Sequence, residues 1–385
     1  MDPSPTRAFT ARWGCVSVGK VTRDHEHMRR ALALAEGGWG NTAPNPMVGA
    51  VVVAGERVVG EGFHARYGEA HAEVVALRAA GEAARGSTMY LTLEPCAHYG
   101  KTPPCVDAVI AAGIARAVIA VSDPSEIARG GVERLRAAGI DVDVGIERDA
   151  ALELNAPFFN AHGSDRPWVT LKLALSADGG IADPTGRPRW ITGHSSRREV
   201  HRMRANADAV AIGIGTVLAD DPSLTVRDAD PPRVQPTRVV FDHTLRLPLT
   251  STLVRTAREV PTVVIAAAGR ESTPEHGALV NAGVDVMTAE SLGAALVGLR
   301  QRGVRSLFLE GGARLAGAFL HDALVDRLTI FQSALVLGGE PLRAFGFAPT
   351  GFETSLAAHR IVEQRRFDED VMTTYALTAI PCSPD

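Results

Sequence analysis

His71-Ala72-Glu73, then Thr92-Leu93-Glu94-Pro95-Cys96, then Thr102-Pro103-Pro104-Cys105 form the stretch on which the reading of this chain turns. One imidazole and two thiols are the ligand set of a catalytic zinc whose fourth position stays open to water. Glu73, two residues past His71, is then free of the metal and able to move protons. A helix turns by about 100° per residue, so His71 and Glu73 converge only in a helix's first turn. Residues 97–104 separate the two thiols, and Gly100, Pro103 and Pro104 break any helix between them. This insert is therefore expected to be a loop beside the metal, with His98, Tyr99, Lys101 and Thr102 over the pocket, where a polar heterocycle or a phosphate could be held. Taken singly these residues have bland readings, since H-x-E arises by chance and a buried Cys is usually an inert hydrophobe. The ordered set with paired prolines has no evident packing purpose. H-x-E followed by P-C-x-x-C is the signature of zinc-dependent base deaminases, and the wider thiol spacing here departs from it.

Working outward, the sequence predicts a helix over 25–37, strands over 47–53 and 58–63, and a helix from His71 to Gly81. Strands follow at 89–93 and 117–121, with Val106, Val109 and Ile110 on one face of a helix between them. Another helix and strand are expected within 134–144. Strands alternating with helices predict an α/β sandwich with His71, Cys96 and Cys105 near helix N-termini, where thiolates are favoured. The Pro44-Asn45-Pro46 turn places Asn45 at a strand's lip. The pattern falters over 155–166, and His162-Gly163-Ser164-Asp165-Arg166-Pro167 reads as a linker.

Beyond the linker, 168–173 reads as a strand, and Ser196 to Glu199 as a capping box for a helix with Val200, Met203 and Ala207 inward. The strand 208–212 runs into Gly213-Ile214-Gly215-Thr216 and a short helix, 216–220. The strand 306–310 runs into Gly311-Gly312 and a helix carrying Leu315 and Phe319. One Gly-x-Gly is weak evidence, but two glycine-bearing strand-to-helix junctions on one parallel sheet describe a dinucleotide site. Neither is the standard G-x-G-x-x-G fingerprint.

A length of 385 residues suggests two or three domains, and 45% hydrophobic with 22% charged residues is an ordinary globular composition. A net charge of −4 offers no basic field for nucleic acid, so a small-molecule substrate is expected. Four cysteines, Cys15, Cys96, Cys105 and Cys382, make no secreted disulfide framework, which points to a cytoplasmic protein. No apolar run is long enough to span a membrane. Residues 1–24 read as a tail rather than a targeting peptide.

Both halves together resemble the bacterial bifunctional deaminase and reductase family of the riboflavin pathway. The deaminase side of the likeness rests on H-A-E, T-L-E-P-C, H-Y-G-K-T-P-P-C and Pro44 to Gly49. The reductase side rests on Lys172 to Gly179, Trp190-Ile191-Thr192, Gly215 to Pro222, Leu224 to Arg227 and Glu310-Gly311-Gly312. The resemblance implies a deaminase domain over 25–163, a cytidine-deaminase-like αβα sandwich, and a dihydrofolate-reductase-like α/β domain over 166–385. It implies Zn²⁺ on His71, Cys96 and Cys105, Glu73 as proton shuttle, and Asn45, His98 and Lys101 on the substrate. It further implies NADPH at Ala174, Trp190, Thr216, Asp220, Gly311 and Gly312, and substrate at Arg204, Leu224, Arg227 and Glu310. Arg204 and Arg227 are expected to grip the substrate's 5′-phosphate in the reductase. The implied reactions are deamination of a ribosylated diaminopyrimidinone 5′-phosphate and NADPH reduction of its ribosyl group to ribityl, in a homo-oligomer. Gly180, Pro188 and His243, and Ser125-Glu126, depart from the family's usual residues.

Overall fold

The computed structural model describes residues 23–99, 103–183, 190–345 and 356–381. Lys101, Pro188, Cys15, Cys382 and almost all of the expected tail lie outside them. In the first half, β1 (Gly49–Ala54), β2 (Arg57–Phe63), β3 (Thr88–Leu91), β4 (Arg116–Ile119) and β5 (Asp141–Val144) form one sheet in the order β2-β1-β3-β4-β5. β1 is antiparallel to both neighbours, and β3, β4 and β5 are parallel. β1 is buried along nearly its whole length, because helices cover both of its faces. Met28 and Leu32 of the helix Arg23–Ala35 pack on one face with Phe159, while Ala72, Ala76, Val106 and Leu135 pack on the other.

The helix Ala72–Ala80 lies so close to β2 that a Cβ on Gly62 would fall 2.6 Å from the Ala72 carbonyl oxygen. Glycine there lets the start of the helix, with His71 and Glu73, sit down on the sheet.

The second sheet has β6 (Trp168–Leu175), β8 (Ala209–Gly213), β9 (Thr237–Phe241), β10 (Thr262–Ala267), β11 (Asp285–Ala289), β12 (Ser306–Leu309), β13 (Arg327–Gln332), β15 (Ile361–Phe367) and β16 (Asp370–Ala376). Their order is β11-β10-β9-β8-β12-β6-β13-β16-β15, and β7 (Gly180–Ala182) and β14 (Leu342–Arg343) form a separate ribbon. Strands β11 to β13 of that order are parallel, and β16 and β15 close it antiparallel. Because β12 inserts between β8 and β6, the chain winds outward in opposite directions from this point, which is where open α/β sheets bind ligands. At Gly180 a Cβ would meet Pro341 and Leu337 at 2.7 and 2.8 Å, so this chain has no room there for a larger residue without a shift of these side chains.

Two expectations are corrected. Residues 155–166, over which the pattern was expected to falter, hold the helix Ala156–Gly163, with Pro157 in the first turn, where its missing N–H is tolerated. Ser196 is not a cap but lies inside the helix His194–Ala205, whose N-cap is Gly193. Its hydroxyl donates to Asp370 Oδ2 at 2.6 Å, and the Gly193 N–H donates to the same oxygen at 2.7 Å. The acceptor comes from β16, beyond the reach of a local motif, and Glu199 instead pairs with Arg202 at 2.7 Å.

The halves are bonded to each other. Arg327 pairs with Glu153 at 2.7 Å, Trp39 Nε1 donates to Arg202 O at 2.7 Å, and Ile380 returns to pack on the first half's core. No helix among the described residues is long and apolar enough to cross a membrane.

Candidate active sites

His71 is the extended N-cap residue of the helix Ala72–Ala80, and Glu73 lies in its first turn, the one arrangement in which the two converge. Cys105 opens the helix Cys105–Ala111. His71 Nδ1 lies 3.2 Å from Cys105 Sγ and 3.8 Å from Cys96 Sγ, and the Cys105 N–H donates to Cys96 Sγ at 3.4 Å. The three ligand atoms all fall within 4.8 Å of one another. Donation from the Cys105 thiol, with help from His71, lowers the Cys96 thiol to about 4, and the same contact pushes Cys105 up. Hydrogen bonding to Cys96 likewise raises His71. An N, S, S cluster suits a thiophilic divalent cation, which takes such a site with release of thiol protons.

Glu73 is 3% exposed, and burial pushes its carboxyl up. Above it is a cavity of about 300 Å³ lined by Asn45, His64, Tyr67, Glu94, His98 and Asp123 among others. The expected contacts Asn45 and His98 are both there, and the buried His98 Nδ1 has no hydrogen-bond partner among the described residues. Lys101 lies outside the described residues.

Sequence reasoning missed four features of this cavity. His64 is 2% exposed, sits edge-on to His71 with ring centroids 5.3 Å apart, and places Nε2 3.3 Å from Asn45 Nδ2. Phe158 and His162 reach the cavity from the helix expected to be a linker. Burial pushes the Asp123 carboxyl up to about 6, in a loop to which no role was given. Glu94, read only as part of T-L-E-P-C, accepts from the N–H groups of Asp123, Gly130 and Val132 at 2.9, 3.0 and 2.9 Å, anchoring the loop that carries Cys96.

In the second half the two glycine junctions meet. Gly213, Gly215, Thr216, Ala219, Asp220 and Gly312 line a cavity of about 990 Å³, and a Cβ on Gly312 would lie 3.8 Å from Thr216 Oγ1. Arg246, Arg314 and the departing residue His243 line it too, giving a dinucleotide's phosphates both backbone donors and positive charge. Ala174 and Trp190 are not on its wall: Ala174 pairs with Phe331 across β6 and β13, and Trp190 is 75% exposed under the Arg197 guanidinium. Gly311 precedes the wall residue Gly312.

Glu310, just past β12, ion-pairs with Arg204 and lies 3.9 Å from Lys172 Nζ. Burial pushes its carboxyl up, but the Arg204 and Lys172 charges outweigh burial and leave it below the ordinary glutamate value. Arg204 also donates to Thr225 O at 3.3 Å, and Arg227 donates to Ser223 Oγ at 3.0 Å. Both guanidinium groups therefore end on one turn, 223–225. Contrary to expectation, only Arg227 is exposed there; Arg204 is held inside by Glu310, since a buried carboxylate needs a counter-ion. Leu224 has φ 54° and a side chain 3% exposed, so its role in the turn is packing. Lys172 was legible as a cation within the apolar strand Trp168–Leu175.

The sequence matches the cytidine and deoxycytidylate deaminase zinc-binding region over residues 21–121 and the RibD C-terminal domain over residues 167–373. The riboflavin biosynthesis protein RibD of Aquifex aeolicus is 44% identical over 318 residues, 82% of this chain and 88% of that protein. That of Escherichia coli is 39% identical over 338 residues, 83% and 89% of the two. A crystal structure of a diaminohydroxyphosphoribosylaminopyrimidine deaminase/5-amino-6-(5-phosphoribosylamino)uracil reductase from Thermotoga maritima is similar with a TM-score of 0.79 and 33% identity, covering 92% of this chain and 98% of that one. Cavity, ligand cluster and paired glycine junctions agree with these likenesses, and the chain belongs to the RibD family, bifunctional deaminase/reductases of riboflavin biosynthesis that use zinc and NADPH.

Proposed function

We propose that residues 25–163 deaminate 2,5-diamino-6-ribosylamino-4-pyrimidinone 5′-phosphate and that residues 166–385 reduce the ribosyl group of the product to ribityl. The observation that carries the first assignment is the buried Glu73 carboxyl on the wall of a cavity that His71 and Cys96 also line, with Cys105 clustered beside them. His71, Cys96 and Cys105 would hold zinc, which would supply Lewis acidity to activate a water. Glu73 would accept a proton at its carboxylate and deliver it to the departing amine, and burial, which raises its carboxyl, favours the protonated form it needs as donor. Asn45 and the loop that starts at His98 hold the pyrimidine and its ribose phosphate.

In the second site, NADPH supplies hydride to the sugar carbon attached to the exocyclic nitrogen. Thr216, Asp220, Gly311 and Gly312 hold the cofactor. Glu310, oriented by Arg204 and Lys172, accepts from the substrate's hydroxyls, and Arg227 meets its phosphate. A homo-oligomer in the cytoplasm is the proposed setting, since the free thiols of Cys96 and Cys105 are what a reducing compartment preserves.

The deaminase assignment is tested by Glu73→Gln. This variant should retain about one zinc per chain while deamination falls by a factor of about 10² or more. Loss of zinc together with activity would make Glu73 a ligand or a structural residue instead.

A further inference from the structure

Residues 39–47 carry Asn45 to the deaminase cavity, yet the outer side of this loop is held by the reductase half. Arg305, just before β12, donates from Nη1 to Pro44 O at 2.8 Å. Arg233 donates its backbone N–H to Gly40 O at 3.0 Å and Nη2 to Ala43 O at 2.6 Å. Its guanidinium also lies 5.2 Å over the ring of Tyr67, which lines the same cavity as Asn45. At the other end of the loop, Asn206 Oδ1 accepts from Gly40 N at 3.1 Å. Gly40 has φ 73°, and a Cβ there would lie 2.8 Å from Ala205 O, so the approach of the two halves requires a residue without a side chain.

The deaminase half adds contacts of its own: the Asn45 N–H donates to Thr42 O at 2.9 Å, and Asn45 Nδ2 lies 3.3 Å from His64 Nε2. Asn155 holds Met47 through two hydrogen bonds of 2.8 Å, past the far side of Asn45, and the Tyr67 N–H donates to Asn41 O at 3.0 Å. The carbonyls of residues 40, 43 and 44, by contrast, all take donors from the reductase half. A charged donor on a backbone carbonyl is stronger than a neutral one and fixes the direction of the peptide it binds. Pro44 immediately precedes Asn45, so Arg305 sets the peptide from which the Asn45 side chain projects.

We infer that Arg305 and Arg233 are positioning residues for deamination: the reductase half completes the deaminase site by fixing the Asn45 loop and the Tyr67 ring. This rests on the reading of Asn45 as a pyrimidine contact. Neither arginine lines the cavity, so their loss acts by lowering the fraction of chains whose loop is competent to bind. Apparent affinity falls by that fraction, while the chemistry at zinc and Glu73 is unchanged once substrate is bound. The fusion of the two halves then serves the first reaction as well as the second.

Steady-state kinetics of the full-length chain tests this. Arg305→Ala should raise the deaminase KM about tenfold, the equivalent of one charge-assisted hydrogen bond, with kcat within about twofold and zinc content unchanged. Arg305→Lys, which can still donate to Pro44 O, should recover most of the loss. Reductase KM for already deaminated substrate and for NADPH should not move. In an Asn45→Ala background, Arg305→Ala should add little, because both act through one contact. An unchanged deaminase KM in Arg305→Ala overturns the inference, as does an effect that adds fully to that of Asn45→Ala. An equal loss of reductase activity also overturns it, by marking a general folding role. If Asn45→Ala alone leaves KM unchanged, the reading of Asn45 fails and the inference with it. If Asn45→Ala raises KM and Arg305→Ala does not, the inference alone fails.

Discussion

Arg204 and Arg227 are twenty-three residues apart in the chain and end on one turn, yet their environments predict opposite phenotypes. Truncating Arg227 removes an exposed guanidinium, so Arg227→Ala should raise the reductase KM about ten- to a hundredfold with stability nearly unchanged. Equal weakening of the dephosphorylated substrate would show that Arg227 does not read the phosphate. Truncating Arg204 leaves Glu310 buried with only Lys172 at 3.9 Å, and Arg204→Ala should destabilise the reductase half by about 3 to 5 kcal/mol. Asp123 makes a separate prediction. Its carboxyl is pushed up to about 6 from 3.8, chiefly by burial, so the folded state holds a proton the unfolded chain has released between these values. Its contribution to stability therefore falls as pH rises from about 4 to about 6, by at most about 3 kcal/mol. Asp123→Asn keeps the acceptor for the Ser125 N–H and should stabilise the protein at pH 7.5 but hardly at pH 4. Urea denaturation at the two pH values measures the difference; a gain of the same size at both would remove burial of charge as the cause.

At the scale of elements, the helix His194–Ala205 begins without a side-chain cap of its own and relies on Asp370 of β16. Asp370 is 4% exposed and accepts from two donors at the helix start. Asp370→Ala should cost about 1 to 3 kcal/mol, seen as a lower unfolding midpoint, and Asp370→Asn should recover part of it. Arg204 rides on this helix, so the reductase KM should rise alongside. Ser196→Ala should be milder, because Asp370 keeps the Gly193 N–H; if it is as damaging as Asp370→Ala, the cap is not shared as described. The helix Ala156–Gly163 makes the complementary point: eight residues with Pro157 and a closing glycine carry too little periodicity to be read as a helix, and only packing on the first core reveals it.

Across the whole molecule, each sheet has its own pair of hydrophobic cores, which makes the two reactions separable in principle. Cys96→Ser should abolish deamination and leave NADPH oxidation intact when deaminated substrate is supplied. Loss of both activities in a variant whose reductase core still unfolds cooperatively would contradict two independent sites. The loop from Trp39 to Met47 qualifies this independence in one direction only, since it is the deaminase site that leans on the other half.

The amino-acid order by itself brought out the proposed metal ligands His71, Cys96 and Cys105, the proposed proton shuttle Glu73 and the two glycine junctions, because metal and phosphate chemistry demand particular residue types at strand ends and helix starts. Alternating helical and strand periods likewise announced two α/β layers. Tertiary structure alone decided which charged groups became partners: Arg204 with Glu310, Asp370 with a helix start 177 residues away, Arg305 with a carbonyl 261 residues away. A buried carboxylate or an unfilled peptide carbonyl can be satisfied by any donor that folding brings near, so nothing in the local sequence selects that donor.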